Sequence, residues 1–177
     1  MKIPKRAVSI FIFGGIVIGV LVLFGVFGPK DIDENNSPQF IQAAFIDLDR
    51  IYSISKFRSG SGHDFSGNGE TCRSMKHYFN TQDTQEKLTA WDENNGIPPL
   101  PTANTAISIY SPVDGKIIRV EEEEAPIGQQ IYIVPEDELR FTIRLFHVYL
   151  LPELDAGSKI VAGQKIGEIS AYSNTDI

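Results

Sequence analysis

Cysteine, positive charge and a cleavage site are each scarce in this chain, and each scarcity excludes something. The one cysteine is Cys72, so no intrachain disulfide forms and no Cys₄ or Cys₂His₂ zinc site is available. Positive charge is short where it would matter for a partner. Lys2, Lys5 and Arg6 precede residue 28, and all 23 acidic residues follow it. The remainder carries 16 − 3 = 13 basic and 23 acidic residues, a net −10 against −7 for the whole chain. Nucleic acid and an anionic membrane face are therefore not expected partners, because both need a basic surface. The small-residue site that ends a secretory signal is also poorly represented, since Phe27-Gly28-Pro29-Lys30 closes the first apolar run.

That apolar run, residues 7–27, is 21 residues without a charge. As a helix rising about 1.5 Å per residue it matches a bilayer core of about 30 Å. An uncleaved anchor in membrane lipid is the expectation, with a cleaved signal peptide as the alternative. The flank before the run carries Lys2, Lys5 and Arg6 with no acidic residue, and the flank after it is Lys30-Asp31-Ile32-Asp33-Glu34, so residues 1–6 are placed in the cytoplasm and the rest outside the cell membrane as a single-pass topology. Gly15 and Gly19 have the spacing of a helix-pairing motif, but glycine is common in membrane helices, and that ordinary reading is preferred. Residues 28–38 read as an acidic linker, and residues 39–177 as one extracytoplasmic domain with room for a modest core.

Within that domain, Phe40, Ile41, Ala44, Phe45, Leu48, Ile51 and Tyr52 recur at three and four, which predicts a helix over residues 40–54, although Phe45 to Asp49 also alternates as a strand. His63-Asp64 sits among four glycines in residues 56–70. This is either a ligand site exposed by small neighbours or a turn in which Asp64 bonds its own backbone. Cys72, Met75 and Phe79 suggest a short helix, with His77 off that stripe as a surface residue or a ligand. Residues 80–104 show little periodicity and read as a long excursion, either a functional loop or a surface crossing. The chain is organised around residues 107–169, where short alternating runs are split by Gly and Pro turns, with further β runs at 130–134 and 139–148, the latter carrying His147. Glu121 to Glu124 read as a solvated turn after a strand, without the ligand spacing of a calcium loop.

Several pieces together resemble the lysostaphin-type zinc metallopeptidases, which cut peptide crosslinks in bacterial cell walls and share a β fold with glucose-specific phosphocarrier domains. Arg58 and Gly62-His63-Asp64-Phe65 resemble the family's first motif, an Arg and then His-x-x-x-Asp in a Gly-rich turn. Ser111-Pro112-Val113-Asp114-Gly115-Lys116-Ile117-Ile118 resembles the second, and Arg144-Leu145-Phe146-His147-Val148 the third. The segment Gly157-Ser158-Lys159-Ile160-Val161-Ala162-Gly163-Gln164-Lys165-Ile166-Gly167 resembles the fourth nearly residue for residue. The resemblance covers residues 56–167, apart from an insertion at 71–104. It implies a mainly β fold, an antiparallel sheet or barrel-like sandwich of the duplicated hybrid motif type, with the N-terminal transmembrane helix and one or two short helices beside it.

The pattern also departs from the family. Gly60 stands where the histidine paired with Asp64 would be, and the terminal His-x-His is absent. The chain stops at Asn174-Thr175-Asp176-Ile177, where the final strand would begin, so that a neighbouring sheet edge is expected either to stay open or to be closed by another segment. The resemblance implies Asp64 as a zinc ligand and His147 as the histidine that supports the transition state. A hydrolytic zinc needs three protein ligands and an open position for water. Two expectations follow. One is a non-catalytic domain that binds a cell-surface polymer or protein. The other is a zinc metallopeptidase whose rearranged site gathers His63 and Asp64 with His77, or alternatively Cys72, as the third ligand, and His147 as the catalytic group.

Overall fold

The computed structural model describes residues 33, 35–56, 78–123 and 127–177. Two compact units divide the chain, Met1–Pro38 and Gln39–Ile177. In the first, the Asn36 amide donates to the Asp33 carbonyl at 3.0 Å, and the Asn35 amide to the Asp33 carboxylate at 2.9 Å. Among the described residues no helix is long and apolar enough to cross a membrane, and residues 7–27 lie outside them.

Among the described residues the second unit is mainly antiparallel β with one α-helix. Its larger sheet has six strands: β3 (Ala106–Tyr110), β4 (Gly115–Glu122), β5 (Gln129–Pro135), β6 (Ile143–Leu150), β7 (Lys159–Ile160) and β8 (Lys165–Ser170). Their order is β3-β8-β6-β5-β4-β7, with every neighbouring pair antiparallel. The alternation read from the sequence explains the faces. Ile107 and Ile109 of β3, Ile131 and Ile133 of β5, and Ile143 and Leu145 of β6 all turn inward, while Ile166 and Ile169 of β8, three residues apart, are both buried beside a register shift opposite Ile109 and Tyr110. Burying each of these side chains contributes about 1.5–3 kcal/mol.

The two motifs that carried most of the resemblance fold onto each other. Ser111 is fully buried; its amide donates to the Gln164 carbonyl at 2.9 Å, and its carbonyl accepts from Gly163 at 2.8 Å. Asp114 accepts from the Ala162 amide at 2.8 Å, and Gly115 pairs with Ile160. The residue at 115 has to be glycine, because a Cβ would lie 2.4 Å from the Val134 carbonyl oxygen.

A second sheet contains β1 (Ser53–Ile54), β2 (Phe79–Asn80) and β9 (Asn174–Thr175), in the order β1-β2-β9 and antiparallel throughout. Phe79 meets Phe45 edge-on, with centroids 4.9 Å apart, and so ties this sheet to the core. The terminal residues are therefore paired along β2, and Phe79 is a strand residue rather than the end of a helix. The rest of that expected helix, residues 71–77, lies outside the described residues.

Two other expectations change. Residues 40–54 do not form an α-helix. Phe45 and Ile46 enter the core, Ile46 bridges to Ile109, and only Leu48–Arg50 makes a 3-10 turn, capped by Asp47. Burial of two adjacent apolar side chains at the sheet outweighed the three-four spacing. The long excursion holds an α-helix, α1 (Thr84–Glu93), started by Asp83, whose carboxylate accepts from the Gln85 amide at 2.8 Å. No residue of α1 is buried, so it left no apolar periodicity to read. It is held by polar contacts: Trp91 Nε1 donates to the Tyr172 carbonyl at 2.7 Å, and Lys87 Nζ to Asn80 Oδ1 at 2.9 Å.

Candidate functional site

His147 sits on a bulge in β6. Val148 pairs with Gln129 and Leu145 with Ile131, so three steps on β6 face two on β5. The extra residue carries φ +62°, in the left-handed region, and inward parity shifts from Leu145 to Val148. Bulges of this kind re-aim one side chain, here His147, away from the core that its neighbours fill.

Glu123, just beyond β4, holds the bulge. Its Oε1 accepts from the His147 amide at 3.3 Å, and its Oε2 lies 3.3 Å from His147 Nε2. One carboxylate thus satisfies a backbone donor that the bulge removed from the ladder, and also faces the ring of the same residue. The other ring nitrogen, Nδ1, lies 2.8 Å from the Asn174 carbonyl oxygen and 3.0 Å from Asn174 Oδ1. A carbonyl oxygen only accepts, which assigns a proton to Nδ1. Both side chains are mostly buried, His147 at 12% and Glu123 at 10% exposure; with the proton on Nδ1, Nε2 donates to Glu123 only in the imidazolium form, and in that form the contact is little weakened by solvent.

Strand β9 closes the other side of the bulge. Thr175 Oγ1 donates to the Phe146 carbonyl at 2.8 Å, and the Phe146 amide donates to the Asp176 carbonyl at 3.2 Å. Thr175 and Asp176 are buried although both are polar. Tyr78, at the start of β2, faces the same cluster. Burial, with the Asp176 and Glu123 carboxylates adding to it, pushes its phenol up to about 12.

Of the residues singled out from the sequence, the structure describes His147. His63, Asp64 and His77 lie outside the described residues, as do Arg58, Gly60 and Cys72. Among the described residues no group of three or more His, Cys, Asp or Glu side chains is placed to hold a metal. Glu123 is a correction to the reading of Glu121 to Glu124 as a solvated turn: it is a mostly buried partner of His147. The register shift between Ile117 and Arg119 moves the phase of β4 ahead of the acidic run, so strand alternation alone does not single out Glu123. Asn174 and Asp176 carried no sequence signal beyond their polarity.

Chemically, the cluster is a histidine held on both nitrogens, one carboxylate shared between ring and backbone, and a phenol kept protonated at neutral pH. The chain matches no protein-family model, no curated protein and no solved structure.

Proposed function

We propose that the chain is a membrane-anchored, extracytoplasmic β domain of the duplicated hybrid motif type, which binds a surface polymer or protein without cutting it. The observation that carries this reading is the double engagement of His147. A histidine that stabilises an oxyanion or ligates zinc needs one ring nitrogen turned toward the substrate or metal. Here Nδ1 meets the Asn174 carbonyl and Nε2 meets Glu123, so the residue matching the family's catalytic histidine ties β6 to β9 and to the end of β4. The mutual docking of the Ser111 and Gly163 turns supports the fold part of the reading.

Metal analysis of the purified full-length chain tests it, alongside incubation with crosslinked cell-wall peptides. Substoichiometric zinc after dialysis and no cleavage are expected. Stoichiometric zinc that is lost in Asp64→Ala, with hydrolysis lost in His147→Ala, would overturn the proposal in favour of a zinc peptidase with a rearranged site.

A further inference from the structure

The outward face of the larger sheet is basic in an otherwise acidic chain. Seven lysines and arginines follow Tyr78 in the sequence, and four of them, Lys116, Arg119, Arg144 and Lys159, lie exposed at outward positions of β7, β4 and β6. The register groups them. Arg119 pairs with Tyr132 and Tyr132 with Arg144, one row across three strands, while Lys116 pairs with Lys159.

The two arginines are held by rings. The Arg119 guanidinium lies 3.9 Å from the Tyr132 ring centroid, and that of Arg144 lies 5.1 Å from it. Arg144 also sits 4.3 Å from the Phe146 ring, and its Nε donates to Gln130 Oε1 at 3.1 Å. Tyr132 is fixed in turn by its hydroxyl, which donates to Glu121 at 2.8 Å. Arg144 Nη2 also donates to Gln130 Oε1, so an oxyanion would meet the Nη1 side of that guanidinium, and stacking removes much of the rotamer entropy that binding would otherwise cost. The ion pair beside this row, Arg119 with Glu121 at 3.3 Å, joins side chains 55% and 43% exposed and is readily exchanged.

We propose that this face binds an anionic surface polymer, through repeating carboxylate or phosphate groups that meet Arg119, Arg144, Lys116 and Lys159. Charge complementarity carries the choice. Arg119 and Arg144 lie two strands apart, about 10 Å, a spacing that successive units of an extended polyanion can span. The choice of a surface polymer rests on the extracytoplasmic binding role proposed above. The metal assay and the polymer assay read different residues, so either can fail alone.

The test uses the full-length chain in neutral detergent, with binding measured to polygalacturonate, poly(glycerol phosphate), neutral dextran and mixed-sequence duplex DNA. Binding to at least one of the two polyanions is expected, weakening as sodium chloride rises. Arg119→Gln and Arg144→Gln are each expected to weaken it about tenfold. The better of the two polyanions identifies carboxylate or phosphate as the preferred group. If an arginine variant melts early, the Lys116→Gln, Lys159→Gln double variant, clear of the ring contacts, replaces it. The proposal is overturned if neither polyanion binds, if the substitutions in folded protein leave binding unchanged, or if dextran binds equally. DNA that binds as tightly, with the same dependence on the arginines, would reassign the face to nucleic acid.

Discussion

Gly128 lies against the peptide of His147 so closely that a Cβ at position 128 would sit 2.5 Å from the His147 carbonyl carbon and 2.7 Å from its oxygen. Gly128 also carries φ +116°, which side chains rarely adopt. Gly128→Ala therefore meets both a backbone clash and a strained dihedral, and is expected to cost about 3 kcal/mol. Gly163 is the control. It has φ +75° but nothing within 4 Å of a new Cβ, so Gly163→Ala should cost about 1–2 kcal/mol. Urea denaturation of the two variants checks the order, and a smaller loss at 128 than at 163 would contradict this packing of β5 on the bulge.

The His147–Glu123 contact should appear as a coupling. In a double-mutant cycle with His147→Asn and Glu123→Gln, an interaction energy of about 1–2 kcal/mol is expected from equilibrium unfolding. Asparagine is chosen because it tolerates the left-handed backbone at 147, where φ is +62°. His147→Val should cost about 1–2 kcal/mol more than His147→Asn, since a β-branched side chain is strained there. Additive single mutants would mean that Glu123 and His147 do not recognise each other in solution.

These contacts also show where sequence reasoning stops. Runs of alternating isoleucines at Ile107 and Ile109, and at Ile131 and Ile133, announce buried strand faces, and the structure buries them. The turn residues Ser111, Gly115 and Gly163 likewise sit where backbone approach or φ requires them. Polar tertiary contacts leave no such trace. The helix Thr84–Glu93 depends on Asp83, Lys87 and Trp91 finding partners at Gln85, Asn80 and Tyr172, and two of those contacts cross sheets or loops. Glu123 is one glutamate in four, and it is distinguished by a bulge on another strand. His147 drew attention by resemblance, but its partner Asn174 is 27 residues away and has no motif.

Tyr78 should impose an alkaline limit on stability. Its folded pKa of about 12 lies above the ordinary phenol value of 10.0. Between these values the folded state keeps a proton that the unfolded state has lost, so stability is complete below about pH 10 and declines toward pH 12. Half-buried Lys87 acts in the opposite sense: desolvation lowers its folded pKa from 10.5, so its contribution rises with pH below that value. The difference between wild type and Tyr78→Phe isolates the tyrosine. Urea midpoints from pH 9 to pH 12 should fall more steeply with Tyr78 present, and parallel curves would mean that its phenol is neither buried nor set beside Asp176 and Glu123.

Thr175→Val tests whether β9 holds the bulge. Valine keeps the shape of the fully buried Thr175 but removes the 2.8 Å bond from Oγ1 to the Phe146 carbonyl. Loss of one buried hydrogen bond, with its acceptor left behind, is expected to cost about 1–2 kcal/mol in global stability. The local effect is more discriminating. The Phe146 amide bonds to the Asp176 carbonyl and the His147 amide to Glu123, so loosening β9 should speed hydrogen exchange at Phe146 more than at His147. Amides at the Gly115–Pro135 end of the β4–β5 ladder, which does not border β9, should change only by the global amount. Equal acceleration at every site would mean that β9 melts only with the whole domain and gives the histidine no separate support.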